Sequence, residues 1–105
     1  MSYIINNKDL EILINNDLLT IKNLSLRKCS DKNNILEKLI NLEKLDIWNC
    51  ENINKIPNTL TNLKSLEITY GNIKEIPDNF DKLEYLKLNN CNNIIIPDKY
   101  KHLLN

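Results

Sequence analysis

Leucine and isoleucine recur at the same places in four segments of the chain, and successive segments start 20 or 21 residues apart. The segments read IKNLSLRKC from Ile21, LEKLDIWNC from Leu42, LKSLEITYG from Leu63 and LEYLKLNNC from Leu83. Their first, fourth and sixth places are always apolar, and the alternation at places four and six predicts a short strand with one buried face. Repetition at a fixed period predicts that these strands stack in parallel, one strand per repeat.

We call each repeat a rung and count its places from its first leucine or isoleucine. The repeats divide a single domain, residues 1–105, into four full rungs with shorter segments at both ends. Tyr3 and Ile5 fill the fourth and sixth places of a partial first rung, 21 residues before Leu24 and Leu26. The predicted boundaries are 3–20 for this partial rung with its short helix, 21–41, 42–62, 63–82 and 83–102 for the full rungs, and 103–105 for the start of a truncated rung.

The connections between strands carry apolar residues that can cover the buried face of the sheet. An isoleucine precedes each of Pro57, Pro77 and Pro97, and an apolar residue follows three positions later. Because proline fixes φ and lacks a backbone donor, we expect extended or 3₁₀ turns in these connections. Two connections without proline predict short helices, NKDLEILIN, capped by Asn7 or Asp9, and ILEKLI. The apolar residues expected on the inner faces of these helices are Leu10, Leu13, Ile14, Ile35, Leu36, Leu39 and Ile40.

The pattern LxxLxLxxC resembles the leucine-rich repeat family, whose consensus is LxxLxLxxN/CxL. The resemblance covers residues 21–103 over four matched rungs and extends with fewer matches to residues 3–20. It implies an α/β-type solenoid, a right-handed coil with a short parallel β-sheet on the concave face and mostly 3₁₀ or extended turns on the convex face. The chain departs from the consensus at the ninth place of two rungs, which holds Lys8 and Gly71.

Cys29, Cys50 and Cys91 occupy the ninth place, where the family uses an inward asparagine or cysteine to pack the turn. A Cys-x-x-Cys pair would indicate zinc or redox chemistry, but these cysteines are 21 and 41 residues apart with no histidine near them in the sequence. We therefore expect reduced, structural thiols in a reducing, cytoplasmic compartment. Structural roles are also predicted for the strand residues at places four and six, Leu45, Ile47, Leu66, Ile68, Leu86 and Leu88.

Composition and charge narrow the classes of function. Fourteen basic and fourteen acidic side chains balance, so neither a nucleic acid nor an anionic membrane surface is expected as a partner. No apolar run approaches ~18 residues, so no membrane span is predicted. His102 is the single histidine and has no nucleophile arranged around it. We therefore predict no catalytic residue, no metal site and no cofactor, and we expect that the chain is not an enzyme. The excess of Asn, Ile, Leu and Lys is typical of an AT-rich genome.

Places three, five, seven and eight are predicted to face solvent on the concave side of the sheet. Read across the rungs, they bring Trp48, Tyr70 and Tyr85 together as an aromatic cluster beside an acidic pair, Asp46 and Glu67. Exposed aromatic side chains often anchor protein interfaces, so this face is predicted to bind a partner. The plainer alternative is that one exposed tryptophan has no role. The other charged residues predicted on this face are Lys44, Arg27 and Lys87.

The second place of each rung carries charges that alternate in sign, from Lys22 through Glu43 and Lys64 to Glu84. Opposite charges on neighbouring strands attract, so this column is predicted to support the stack. The fifth place does the reverse at its centre, because Asp46 is expected beside Glu67. An acidic pair next to aromatic residues would suit a cationic segment of a partner.

Two functions are consistent with these features. The first is a non-enzymatic protein–protein interaction module that binds through the concave sheet face. The second is the substrate-recognition component of a ubiquitin-ligase or effector system, whose catalytic part lies on another chain. A repeat without a partner is a third reading. The truncated rung at Leu103 and Leu104 also predicts self-association through uncapped solenoid ends.

Overall fold

Five short parallel strands form one sheet in the computed structural model of the chain, which describes residues 1–104. The strands lie side by side in chain order, and each residue pairs with the residue at the same place of the next rung, as Leu24 does with Leu45. The partial first rung follows the same register, since Tyr3 pairs with Leu24. The predicted parallel stack is therefore confirmed. The strands are β1 (Ser2–Asn6), β2 (Asn23–Arg27), β3 (Lys44–Trp48), β4 (Ser65–Thr69) and β5 (Tyr85–Asn89).

The fourth and sixth places of the strands form the centre of the hydrophobic core, as the alternation predicts. The buried residues at these places are Ile5, Leu24, Leu26, Leu45, Ile47, Leu66, Ile68 and Leu86. Leu88 was expected among them but is only partly buried. It lies on β5, against which no sixth strand packs within residues 1–104. Leu86 on the same strand is fully buried and is bridged by Leu104, whereas no such bridge forms at Leu88 within the described residues.

The connections form the opposite wall of the core. Phe80 and Tyr100 are buried there, and the backbone N–H of Phe80 donates a 2.8 Å hydrogen bond to the hydroxyl oxygen of Tyr100. Four short 3₁₀ helices occur in the described chain, and the connections that contain Pro57 and Pro77 are turns without a helix. The expectation of 3₁₀ and extended connections is therefore confirmed. The 3₁₀ helices span Leu10–Leu13, Leu18–Thr20, Leu36–Lys38 and Asp98–Leu103.

The expected inner faces of the two N-terminal helices need a correction. Leu10 and Leu13 are buried, but Ile14 is 53% exposed; likewise Leu36 is buried while Ile40 is 43% exposed. A 3₁₀ helix has three residues per turn, so residues three apart share a face and a residue four apart is turned away. An α-helical period was assumed for both segments, and it overstates the buried face by one isoleucine each.

Asp9, and not Asn7, caps the first helix. Its carboxylate accepts hydrogen bonds from the backbone N–H of Glu11 at 2.9 Å and of Lys32 at 2.9 Å, and from the hydroxyl of Ser30 at 2.8 Å. Partial desolvation opposes ionisation, but these three donors together lower the pKa of Asp9 below its usual value. Asp9 thus ties the first connection to the second through one carboxylate.

The three cysteines form a regular ladder inside the stack. Each thiol donates to the carbonyl at the sixth place of the preceding rung: Cys29 to Ile5 at 3.1 Å, Cys50 to Leu26 at 3.7 Å and Cys91 to Ile68 at 3.4 Å. All three thiols are free, and Cys29 and Cys50 are buried while Cys91 is half-buried. Burial raises the pKa of the Cys50 thiol, which favours its neutral, unreactive form.

Asparagine side chains link the connections on the outer side. The amide nitrogen of Asn41 donates to the backbone oxygen of Leu19 at 3.0 Å, and that of Asn62 donates to the backbone oxygen of Ile40 at 3.0 Å. These two residues precede the first place of successive rungs, so the bonds repeat with the period of the chain. They satisfy carbonyl groups that the short helices leave without a partner.

Truncation of the core residue Leu45 tests the register of the stack. We expect Leu45→Ala to lower the free energy of unfolding by about 2–5 kcal/mol, because Leu45 is fully buried on the central strand and its removal leaves a cavity. Ile4→Ala is the matched control, since Ile4 lies on β1 but is 73% exposed. Urea denaturation of the two variants makes the comparison. A loss below about 1 kcal/mol for Leu45→Ala would show that the register is wrong.

Alkylation of the native protein followed by mass spectrometry tests the thiol ladder. We expect all three cysteines to be reduced and the half-buried Cys91 to react before Cys29 and Cys50. The thiolate is the reactive form, and burial disfavours it. After denaturation all three should react. A Cys29–Cys50 disulfide in protein isolated without reductant would contradict the expectation.

Candidate functional site

The parallel register places residues at the same place of successive rungs in columns across the outward face of the sheet. Asp46 pairs with Glu67, Trp48 pairs with Thr69 and Ser65 pairs with Tyr85. Neighbouring strands are about 4.8 Å apart, so side chains in one column lie within contact distance. The columns expected from the repeat are therefore present, and they allow each predicted site residue to be located.

Trp48 lies at the centre of a cluster on this face. Its ring meets the ring of Tyr70 edge to face, with centroids 6.3 Å apart and planes at 79°. The guanidinium carbon of Arg27 and the amino group of Lys28 each lie 5.7 Å from the centroid of the Trp48 ring. Both distances are within the range of cation–π attraction. We call Arg27, Lys28, Trp48 and Tyr70 the Trp48 cluster.

Exposure within the Trp48 cluster is uneven. Tyr70 is 52% exposed, and Arg27 and Lys28 are also exposed, whereas Trp48 is partly buried because its three neighbours cover part of the ring. Edge-to-face aromatic contact contributes about 0.5–1.5 kcal/mol, and a cation over an exposed ring about 0.5–1 kcal/mol. The indole is therefore held in one place on the surface and presents a preformed aromatic face.

Tyr85 is not part of this cluster, which corrects the expectation of three aromatic residues together. It stands at the third place, at the start of β5, whereas Trp48 ends β3 and Tyr70 follows β4. Four residues along a strand span roughly 13 Å, so places three and seven lie at opposite ends of the sheet. The prediction grouped these residues by their outward direction alone, but the third and seventh columns are far apart along the strands.

Tyr85 instead borders a depression that contains the acidic pair. The depression has a volume of about 420 Å³ and is lined by Lys44, Leu45, Asp46, Ser65, Glu67 and Tyr85. The hydroxyl of Ser25 donates to Asp46 at 3.3 Å. Within residues 1–104, no lysine or arginine nitrogen lies within 4.0 Å of the carboxylates of Asp46 and Glu67. The two acids thus stand side by side, with Lys44 and Lys87 on the same face but not in ion pairs.

The alternating charges of the second column form only part of the expected chain of ion pairs. Glu43 forms ion pairs with Lys22 at 3.6 Å and with Lys64 at 3.8 Å, and all three side chains are partly exposed. Glu84 makes no ion pair within the described residues. Pairs of this kind contribute a few tenths of a kcal/mol. They stabilise the stack modestly, and Lys22 and Lys64 share Glu43 as their acidic partner.

Every strand is followed by a residue in the left-handed backbone region, always at the eighth place. Three of these five residues are asparagine, which tolerates positive φ, but Lys28 and Tyr70 also adopt φ of 54°. Gly71 has no positive φ, so its role is different: a Cβ there would run into the Cγ2 methyl of Ile68. The chain's one glycine is therefore required by packing, and Tyr70 takes the turn conformation beside it.

Lys28 is the residue of this site that the sequence prediction missed. It was placed in the eighth column, but the left-handed turn that brings its amino group over Trp48 was not anticipated. Asparagine stands at the eighth place of three other rungs, and this residue type is enriched at positive φ. It could have indicated a left-handed turn at Lys28 as well.

No group of three or more His, Cys, Asp or Glu side chains in residues 1–104 is arranged to hold a metal ion. His102 lies exposed in the last 3₁₀ helix. No helix in this part of the chain is both long and apolar enough to cross a membrane.

Comparison of the chain with known proteins does not assign it to a family. No protein-family model matches the sequence. No curated protein matches it. No solved structure matches the fold. The stacked parallel strands and the Trp48 cluster are therefore the observations on which a function must be argued.

Proposed function

We propose that the chain is a leucine-rich-repeat solenoid that binds a protein partner through the outward face of its sheet and carries out no catalysis itself. The strands are parallel, and paired residues of neighbouring strands are 20 or 21 positions apart in the sequence. Both features support the repeat assignment. So does the thiol ladder, because inward cysteines at the ninth place fit the family pattern, which has asparagine or cysteine there. The sheet face is then the concave surface of the solenoid.

The Trp48 cluster is the observation that carries the binding proposal. Tryptophan, tyrosine and arginine are the residues most enriched at the centres of protein interfaces, and all three types meet here on one solvent-facing surface. The contacts among them fix the rings before any partner arrives, which reduces the entropy lost on binding.

Replacement of Trp48 tests the proposal. The full chain, immobilised, would isolate the partner from a native cell extract, and calorimetry with the purified partner would then give affinities. We expect Trp48→Ala to weaken binding by more than about 2 kcal/mol, as for an interface anchor. Its free energy of unfolding should fall by about 1.5–3.5 kcal/mol, because one aromatic contact with Tyr70 and two cation–π contacts with Arg27 and Lys28 are lost but the core is kept.

Two controls make this result specific. Lys22→Ala should leave the affinity unchanged, because Lys22 lies in the second column and pairs with Glu43. Trp48→Phe should bind with intermediate affinity, because it retains an aromatic face. If Trp48→Ala binds normally while Leu103→Ser with Leu104→Ser abolishes binding, the site is at the C-terminal end of the stack and the proposal is wrong. Isolation of a ubiquitin-ligase scaffold as partner would favour the substrate-recognition function.

A further inference from the structure

The carboxylates of the outward sheet face all lie in one half of it, where Lys44 and Lys87 also stand. The acidic pair, Asp46 and Glu67, stands at the fifth place, in the middle of the strands. The seventh and eighth places, at the carboxyl ends of the strands, contain no carboxylate in any rung. They hold Asn6, Arg27, Trp48, Thr69 and Asn89 in one column, and Asn7, Lys28, Asn49, Tyr70 and Asn90 in the next. This edge of the face is therefore cationic and aromatic, with amides around it.

The two cations of the Trp48 cluster have no anionic partner of their own. The ion pairs formed within residues 1–104 involve Lys22, Lys64, Lys99 and Lys101, and neither Arg27 nor Lys28 takes part in one. Both side chains lie against the indole instead. Arg27 and Lys28 are themselves exposed, so their charges stay available to an approaching anion, unlike the charge of Lys22, which is already beside Glu43.

The residue types at the left-handed turns also indicate a ligand at the Trp48 cluster. Of the five left-handed positions that end the strands, the three outside the cluster are asparagine and the two inside it are Lys28 and Tyr70. Asparagine adopts positive φ more readily than lysine or tyrosine. The turns themselves therefore do not explain these two side chains, whereas a ligand that needs a cation and an aromatic ring beside Trp48 does.

We infer that the Trp48 cluster binds an acidic segment of the partner protein, with a carboxylate on Arg27 and Lys28 and a neighbouring apolar side chain on Trp48 and Tyr70. This inference rests on the proposed function and gives its partner a chemical class. Arg27 offers the planar fork of donors that fits a carboxylate, and Lys28 adds a second charge on the same side of the indole. An earlier expectation, a cationic segment on Asp46 and Glu67, concerns the other half of the face.

A protein segment fits this surface better than a nucleic acid does. Binding of a polyanion depends on several phosphates being neutralised together, and the cluster supplies only two cations. A phosphate chain that followed the sheet would also pass the carboxylates of Asp46 and Glu67, which form no ion pair. They stand at the fifth place, in the outward column next to that of Trp48. The chain as a whole has no net positive charge. One or two carboxylates beside an apolar side chain match what the cluster offers.

A titration of the isotope-labelled full chain with short peptides tests the inference. The probes are a peptide Glu-Asp-Phe-Asp-Glu with blocked ends, its neutral amide analogue Gln-Asn-Phe-Asn-Gln, a basic peptide Lys-Arg-Phe-Arg-Lys and oligothymidylate. We expect the acidic peptide alone to shift the indole N–H signal of Trp48 and the amide signals of Lys28 and Tyr70, with a Kd on the order of 1 mM. Added sodium chloride should weaken this binding, because the charges are exposed.

Three variants decide whether the cations act as inferred. Arg27→Gln and Lys28→Asn should each weaken binding of the acidic peptide about three- to fivefold, as expected for one exposed charge pair. Lys22→Ala should leave it unchanged. Lys28→Asn also separates binding from folding, because asparagine is the residue that three other rungs use at this position. Its melting temperature should be close to that of the parent, because the easier left-handed turn offsets the lost contact with Trp48, so weaker binding by this variant is not a folding defect.

The outcomes are distinct. Preference for the basic peptide, binding of oligothymidylate, or no shift with the acidic peptide at several times the expected Kd would each overturn the acidic-segment inference. If one of these occurs while Trp48→Ala still loses the partner isolated from the extract, the proposed function stands and only the chemistry of the ligand is wrong. If Trp48→Ala also binds that partner normally, both proposals fail.

Discussion

The left-handed residue that ends every strand fixes the geometry on which the rest of the stack depends. At this eighth place the backbone turns away from the sheet. The backbone N–H of the eighth residue donates to the carbonyl at the seventh place of the next rung. Examples are Lys28 to Trp48 at 3.0 Å and Tyr70 to Asn89 at 2.9 Å. The next residue then enters the core, where the cysteines at the ninth place donate back to the preceding rung. One turn therefore sets both the spacing of the strands and the direction of the residues around it.

The same constraint builds the surface that we propose as a binding site. Because the carboxyl ends of all strands are aligned in register, the seventh and eighth places form two continuous columns along one edge of the sheet. Trp48 belongs to one column, Lys28 and Tyr70 belong to the other, and the turn brings the two columns together over the indole. The aromatic contact and the cations hold the ring in place, so the surface is preformed although none of these residues belongs to the hydrophobic core.

Much of the fold was predictable because the burial of aliphatic side chains repeats with a strict period. The strands, their parallel order and their register follow from the spacing of leucine and isoleucine. The misplaced residues have local causes. Ile14 and Ile40 were assigned by an α-helical period to segments that form 3₁₀ turns, and Leu88 was treated as an inner position although β5 has a neighbouring strand on one side only. The asparagine bonds between connections also escaped prediction, since amide partners depend on how neighbouring turns are oriented.

The sequence by itself determined which strand residues face the core and which face solvent, because strand alternation and the repeat period are local properties of the chain. It placed Trp48, Asp46 and Glu67 on one face and the cysteines inside. Only the tertiary structure decided which outward residues touch, because contact depends on distance along the strand and on backbone turns as well as on column order. It separated Tyr85 from Trp48 by the length of a strand. It also brought Lys28 onto the indole through a left-handed backbone that the one-dimensional pattern does not encode.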